Sequence, residues 1–335
     1  MEYTFRLRYR GFFFILIMFF VFLFCFDSKI QVKIQSNCPL CFFPYHDFGA
    51  NSSPHDLVVT MALKKMYSIV PWIRSLRTTG CRATVVLFTD QSTLSSFSND
   101  LREIIAACDI IVHDIGDISS LNPNQVFFSR FIILSDYLRK NNGKYNRVFL
   151  ADLFDTAFQG DPFNHDFKND TMYFIDEGFV IGKNTTNSKW IDKIKGFNSS
   201  IISHKQVLCG GMTWGGVKPF LSFIEALKSV VDMKTFYIPT IDQGLINYIV
   251  HTGIINRFVD KYTIMLPENG ITTLGTKYSD FTYKDPFGSI KHKKSGNYLR
   301  AIHQYDRSQH MIKSFLESCP KGNLNITHYM RKSPI

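Results

Sequence analysis

In the stretch RVFLADLFDTAFQGDPF, residues 147–163, an apolar run ends in Asp152 and Asp155, with Asp161 six positions further on. Carboxylates gathered where a strand ends can hold a hard divalent cation, Mg2+ or Mn2+, and leave coordination positions open for phosphate oxygens. An ion so placed neutralises charge on a diphosphate leaving group. The same side chains have a plainer use: Asp152 can cap a turn and Asp161-Pro162 can start the next one. Asp152 and Asp155 are expected to bind the metal.

The pattern before these residues shows what must position them. Apolar runs at 57–63, 84–90, 109–115 and 147–155 read as strands, and the segments 66–80, 97–108 and 125–141 have helical spacing. Gly80 ends the first helix and Asn142-Gly143 the third. This alternation predicts an α/β fold, with a mostly parallel sheet flanked by helices. Continuous apolar runs suit strands covered on both faces. Ligands bind beyond the carboxyl ends of such strands, and Asp90 and Asp152 sit there. Further on, the pattern predicts a strand at 171–181, a Gly-rich strand and turn at 206–216, helices at 217–233 and 241–253, and a last organised segment at 297–307.

The N-terminus carries Arg6, Arg8 and Arg10 before the uncharged run GFFFILIMFFVFLFCF, Gly11 to Phe26. Sixteen helical residues span roughly 24 Å, enough for a thin bilayer. A cleaved secretion signal is the alternative, but the run ends in bulky residues rather than a small-residue cleavage site. An uncleaved anchor is therefore expected, with the arginines cytoplasmic and the rest luminal. Asn51, Asn169, Asn184, Asn198 and Asn325 each head a glycosylation sequon. A lumen also permits disulfides among the six cysteines beyond the anchor. Cys81 and Cys108, at the start of strands two and three, are expected to pair, and Cys38-x-x-Cys41 to belong to a disulfide in the stem. The net charge of +10 suits anionic ligands such as nucleotide diphosphates; behind an anchor it does not point to nucleic acid.

An apolar strand ending in Asp, with Asp-Thr after it, invites comparison with haloacid dehalogenase-type phosphatases. Those separate their two aspartates by one residue on the first strand; here two residues intervene and three strand–helix units come first. RVFLADLFDTAFQGDPF, preceded by FSRFIILSDYL, instead resembles nucleotide-sugar-dependent glycosyltransferases of the GT-A fold, and is most similar to the glycogenin-like, retaining group, over residues 57–307. Their Asp-x-Asp motif is represented here by Asp152-x-x-Asp155, one residue longer.

The resemblance implies a Golgi or ER membrane protein with a cytoplasmic tail (1–10), signal anchor (11–26), stem (27–55), catalytic domain (56–318) and C-terminal tail (319–335). It implies His303, in HQYDR, as third ligand beside Asp152 and Asp155 for Mn2+ or Mg2+. Donor binding would fall to Arg130, Asp90, Asp152, Gly210, Gly211 and Arg307. Asp242 and Gln243, in IDQGLIN, would be catalytic: Asp242 as general base for inversion, or both lining the sugar for retention. Asp242 also reads as a helix cap. The activity implied is sugar transfer from a nucleotide-diphosphate sugar to a hydroxyl of a glycan, glycoprotein or glycolipid. The rival expectations are a metal-dependent luminal phosphohydrolase and a non-catalytic carbohydrate-binding relative.

Overall fold

The structure, a computed structural model, describes residues 37–41, 50–64, 69–163, 167–275, 282–285, 288–307, 311, 315 and 319. The chain forms two compact units, Met1–Asn37 and Cys38–Ile335. The expected anchor at 11–26 and tail at 1–10 lie outside the described residues. Among the described residues no helix is long and apolar enough to cross a membrane.

The second unit is α/β. Strands β1 (Asp56–Ala62), β2 (Thr84–Thr89), β3 (Ile110–Asp114) and β4 (Arg147–Ala151) are parallel. Between them run helices α1 (Ile69–Thr78), α2 (Gln91–Ser95), α3 (Asn99–Ala107) and α4 (Pro123–Lys140). The sheet order is β3-β2-β1-β4-β8-β6-β7. Its second half is mainly antiparallel: β8 (Met212–Gly216) lies against β4, and β6 (Met172–Val180) lies against β8 and β7 (Gln206–Leu208). β9 (Tyr262–Met265) joins β6 in parallel.

The apolar runs β1, β2 and β4 form strands because both faces of the sheet are covered there; at the edge, β3 leaves Ile111, His113 and Asp114 partly or largely exposed. Side chains alternate between faces: Phe149 joins the core of Trp72 and Trp214, while Leu150 joins that of Phe88, Phe131 and Phe223. α4 starts on a capping box, Asn122 with Gln125, and has Pro123 in its first turn, where the missing N–H costs nothing.

The sequence predicts β4 running to Asp155, but the strand stops at Ala151. The chain turns through Asp152–Asp155 and resumes as β5 (Thr156–Phe158) in a different, three-stranded sheet. Its order is β10-β13-β5, with β10 at Ile271–Thr273 and β13 at Ala301–His303. β11 (Thr282–Lys284) and β12 (Ile290–His292) form a separate antiparallel pair. The helices α5 (Thr185–Ile191), α6 (Val217–Lys228) and α7 (Asp242–His251) complete the unit.

The expected Cys81–Cys108 bond is not formed: Cys38 pairs with Cys108, Cys41 with Cys319, and Cys81 is a buried free thiol. The cause is the route of the 38–41 segment. The Arg74 guanidinium donates to the carbonyls of Pro39 and Leu40, and the Cys41 N–H donates to Thr78 Oγ1 at 2.8 Å. Bound along α1, the segment presents Cys38 to Cys108 and Cys41 to Cys319. Part of the expected stem thus belongs to the second compact unit, as does Cys319 at the start of the expected tail. Ser52 is buried and donates through N (2.9 Å) and Oγ (2.5 Å) to Asp161 Oδ2. The third aspartate of the opening motif therefore secures the chain before β1.

Candidate metal centre

Asp152, Asp155 and His303 each offer a ligand atom, and these atoms lie within 4.8 Å of one another. His303 Nε2 stands 3.5 Å from Asp152 Oδ2 and 3.3 Å from Asp155 Oδ1. Ligand atoms that share an ion at about 2.0–2.2 Å are themselves about 3–3.5 Å apart, so both His303 spacings fit one ion. The aspartates come from the turn after β4. His303 ends β13, where it pairs with Thr156, the residue after Asp155. The donor set, two carboxylates and an imidazole, suits Mn2+ or Mg2+ with open positions for phosphate.

The far side of the His303 ring is held as well. Nδ1 lies 3.0 Å from Thr273 Oγ1 and 3.4 Å from Cys209 Sγ. The Thr273 hydroxyl donates to Gln304 Oε1 at 3.3 Å, so it accepts from Nδ1–H, which assigns the lone pair of the neutral ring to Nε2. Burial opposes a charge on His303, but the carboxylate of Asp155 and its neighbours outweigh it and raise the pKa well above the ordinary value. The carboxylates thus draw positive charge, whether proton or metal ion, onto this nitrogen.

Arg130 is buried, and its guanidinium is already engaged. Nη1 donates to Asp152 Oδ1 and Nη2 to the Gly210 carbonyl, each at 2.5 Å, while Nη2 also pairs with Asp242 Oδ2. Expected as a donor ligand, Arg130 here fixes one oxygen of Asp152 and leaves Oδ2 turned to His303. Asp242 is 3% exposed, and its Oδ1 accepts from Gln243 N at 2.8 Å. Burial pushes its carboxyl up to about 6, against the pull of Arg130. With both oxygens engaged, Asp242 meets an acceptor hydroxyl only if Arg130 lets go. It lies in the first turn of α7, where a carboxylate suits the helix dipole.

Gly210 and Gly211 adjoin the triad. A Cβ on Gly211 would strike the His303 ring and the Asp152 carboxylate, and one on Gly210 would lie 2.9 Å from Gln243 Cβ. Asp90 is placed otherwise: it caps α2, accepting from Lys64 N (2.7 Å), Thr93 N (3.1 Å), Thr93 Oγ1 (2.7 Å) and Ser92 Oγ. Burial works against its charge, yet these bonds bring the carboxyl down to about 2. Arg307 follows β13 on a 3-10 turn, half exposed, 3.8 Å from Asp306. Among the described residues it makes no hydrogen bond or ion pair with the triad.

A cavity of about 310 Å3 opens beside Asp152 and Arg130, walled by Met61, Leu63, Leu121, Val126, Phe127 and Leu153, with Lys64 also in its lining. Two buried polar residues escaped the sequence reading. Glu177 on β6 and Asn187 on α5 both accept from Gln243 Nε2, at 3.2 and 3.1 Å. Burial pushes the Glu177 carboxyl up to about 7. Its signal was the pair Asp176-Glu177 inside a predicted apolar strand; Asn187 gave none.

No protein-family model matches the chain, and no curated protein matches it.

Proposed function

We propose that the protein is a metal-dependent glycosyltransferase of the GT-A type, moving a sugar from a nucleotide-diphosphate sugar to an acceptor hydroxyl on the luminal side of a Golgi or ER membrane. The observation that carries this reading is the meeting of Asp152, Asp155 and His303 beyond the carboxyl end of β4, beside a cavity sized for part of a small ligand. The four parallel strands before the acidic turn, and the antiparallel β8 after it, support it further.

In the reaction the bond from the anomeric carbon to the diphosphate breaks, its electrons leave with the phosphate, and the acceptor oxygen takes its place while the acceptor's proton passes to the departing phosphate oxygen. Mn2+ or Mg2+, held by Asp152, Asp155 and His303, would offset the charge growing on the leaving group. The chain's own work is positional. Arg130 immobilises Asp152 and Asp242, and Thr273 orients the His303 ring. Gly210 and Gly211 let His303, Asp152 and Gln243 close up against the backbone beside the sugar, and the apolar cavity takes the nucleoside.

A melting-temperature screen of nucleoside diphosphates and their sugars, with and without Mn2+, tests the reading. Stabilisation by one nucleotide that requires Mn2+, followed by sugar transfer to an acceptor, is expected. Phosphate release without an acceptor, or no Mn2+ dependence, would overturn it.

A further inference from the structure

Glu177 is 7% exposed and meets no lysine or arginine among the described residues. Its Oε1 accepts one hydrogen of the Gln243 carboxamide at 3.2 Å, and Asn187 Oδ1 accepts the other at 3.1 Å. The amide oxygen accepts from Gly210 N at 3.0 Å. A flipped carboxamide would turn its oxygen toward two acceptors and its NH2 toward an N–H donor, so only one orientation is compatible with the surroundings. The braced backbone stands beside the metal centre. The Gly210 carbonyl accepts from Arg130, which holds Asp152, and the Gly211 carbonyl accepts from Asp152 N at 2.7 Å. A carboxylate buried this deeply is costly to keep. Here it serves the amide that braces the Gly210-Gly211 backbone.

We infer that Glu177 is a positioning residue: it locks the Gln243 carboxamide and, through it, the Gly210-Gly211 backbone against which the transferred sugar lies. The inference rests on the transferase reading, and it assigns Glu177 an effect on turnover exerted through Gln243 rather than through the metal.

The test compares Glu177→Ala, Glu177→Leu and Glu177→Gln, alone and with Gln243→Ala, in the full-length protein. Glutamine keeps an acceptor for Gln243 Nε2; alanine and leucine do not. The expected result is a loss of kcat of about ten-fold or more in the Ala and Leu variants, recovery of most of it in Glu177→Gln, and Mn2+ affinity within about two-fold of wild type. Adding Glu177→Ala to Gln243→Ala is expected to cause no further loss, because the first acts through the second. Independent losses that multiply, a Gln variant as slow as the Ala variant, or Mn2+ affinity falling in step with kcat would each overturn the inference.

If the wild type transfers no sugar at all, the transferase reading falls and Glu177 is judged by the Gln243 side-chain amide in 15N-glutamine-labelled protein, assigned by its loss in Gln243→Ala. Slow hydrogen exchange in wild type and Glu177→Gln, and fast exchange in Glu177→Leu, is then the expected result; slow exchange in Glu177→Leu would refute the lock.

Discussion

His303 Nε2 stands 3.3 Å from Asp155 Oδ1, though one residue ends the last described strand and the other lies in the turn after β4. The three-stranded sheet makes this contact, by pairing His303 with Thr156. If the triad binds an ion, its loss is readable as lost ligand-linked stability. With Mn2+ at one hundred times its Kd, wild type gains about 2.7 kcal/mol, roughly 5 °C in melting temperature. Asp155→Ala and His303→Ala are each expected to lose most of that gain while melting cooperatively without metal. A full Mn2+ shift in either variant would place the ion elsewhere.

The same nitrogen takes either a proton or an ion. Because Asp155 and Asp152 draw the His303 pKa well above its ordinary value, a proton competes with metal for this nitrogen. Mn2+ affinity is therefore expected to fall as the pH is lowered from 7 to 6, with protons released as the ion binds. Calorimetry in buffers of different ionisation enthalpy measures that proton directly. A binding constant that does not change with pH would remove His303 from the ligand set.

Gly211 is a glycine for want of space. Its missing Cβ would lie on the His303 ring and 2.8 Å from Asp152 Oδ2. Gly211→Ala is expected to push the two ligands apart and abolish Mn2+-linked stabilisation, at a folding cost of about 1–3 kcal/mol for overpacking. Melting curves with and without Mn2+ separate the two effects. An alanine variant that binds Mn2+ like wild type would show that the ligands have room the structure does not indicate.

The parallel half of the sheet was legible because its strands are long apolar runs between clear helix stops. β4 was drawn too long because Leu153 and Phe154 continue the apolar run through what is a turn. β5, β10 and β13 are three residues each, too short for any period to register, yet they bring His303 to Asp155. Only resemblance pointed to that histidine. The resemblance gave Arg130 to the donor, but its partners Asp152 and Asp242 meet it only in the fold. The disulfides were misread for a similar reason: Cys38 reaches Cys108 because Arg74 and Thr78 bind the segment between Cys38 and Cys41, and nothing local to Cys108 records that.

Glu177 also carries a stability prediction. Its carboxyl, ordinarily near 4.5, is pushed up to about 7 by burial, so the folded protein holds a proton that the unfolded chain has released. The stability this contributes is full below about pH 4.5 and is lost as pH rises through about 7, a shift worth about 3 kcal/mol. Asp242 titrates in a lower window, up to about 6, but does so in wild type and variant alike and largely cancels from their difference. Glutamine cannot ionise and keeps the acceptor that Gln243 uses. Glu177→Gln is therefore expected to be more stable than wild type at pH 8 by up to about 3 kcal/mol, with the difference closing toward zero near pH 4.5. Urea unfolding with a chelator present, so that no metal adds to either state, measures both ends of the window. An equal difference at the two pH values would mean that the carboxylate is solvated in the folded protein, and the burial assigned to Glu177 would be wrong.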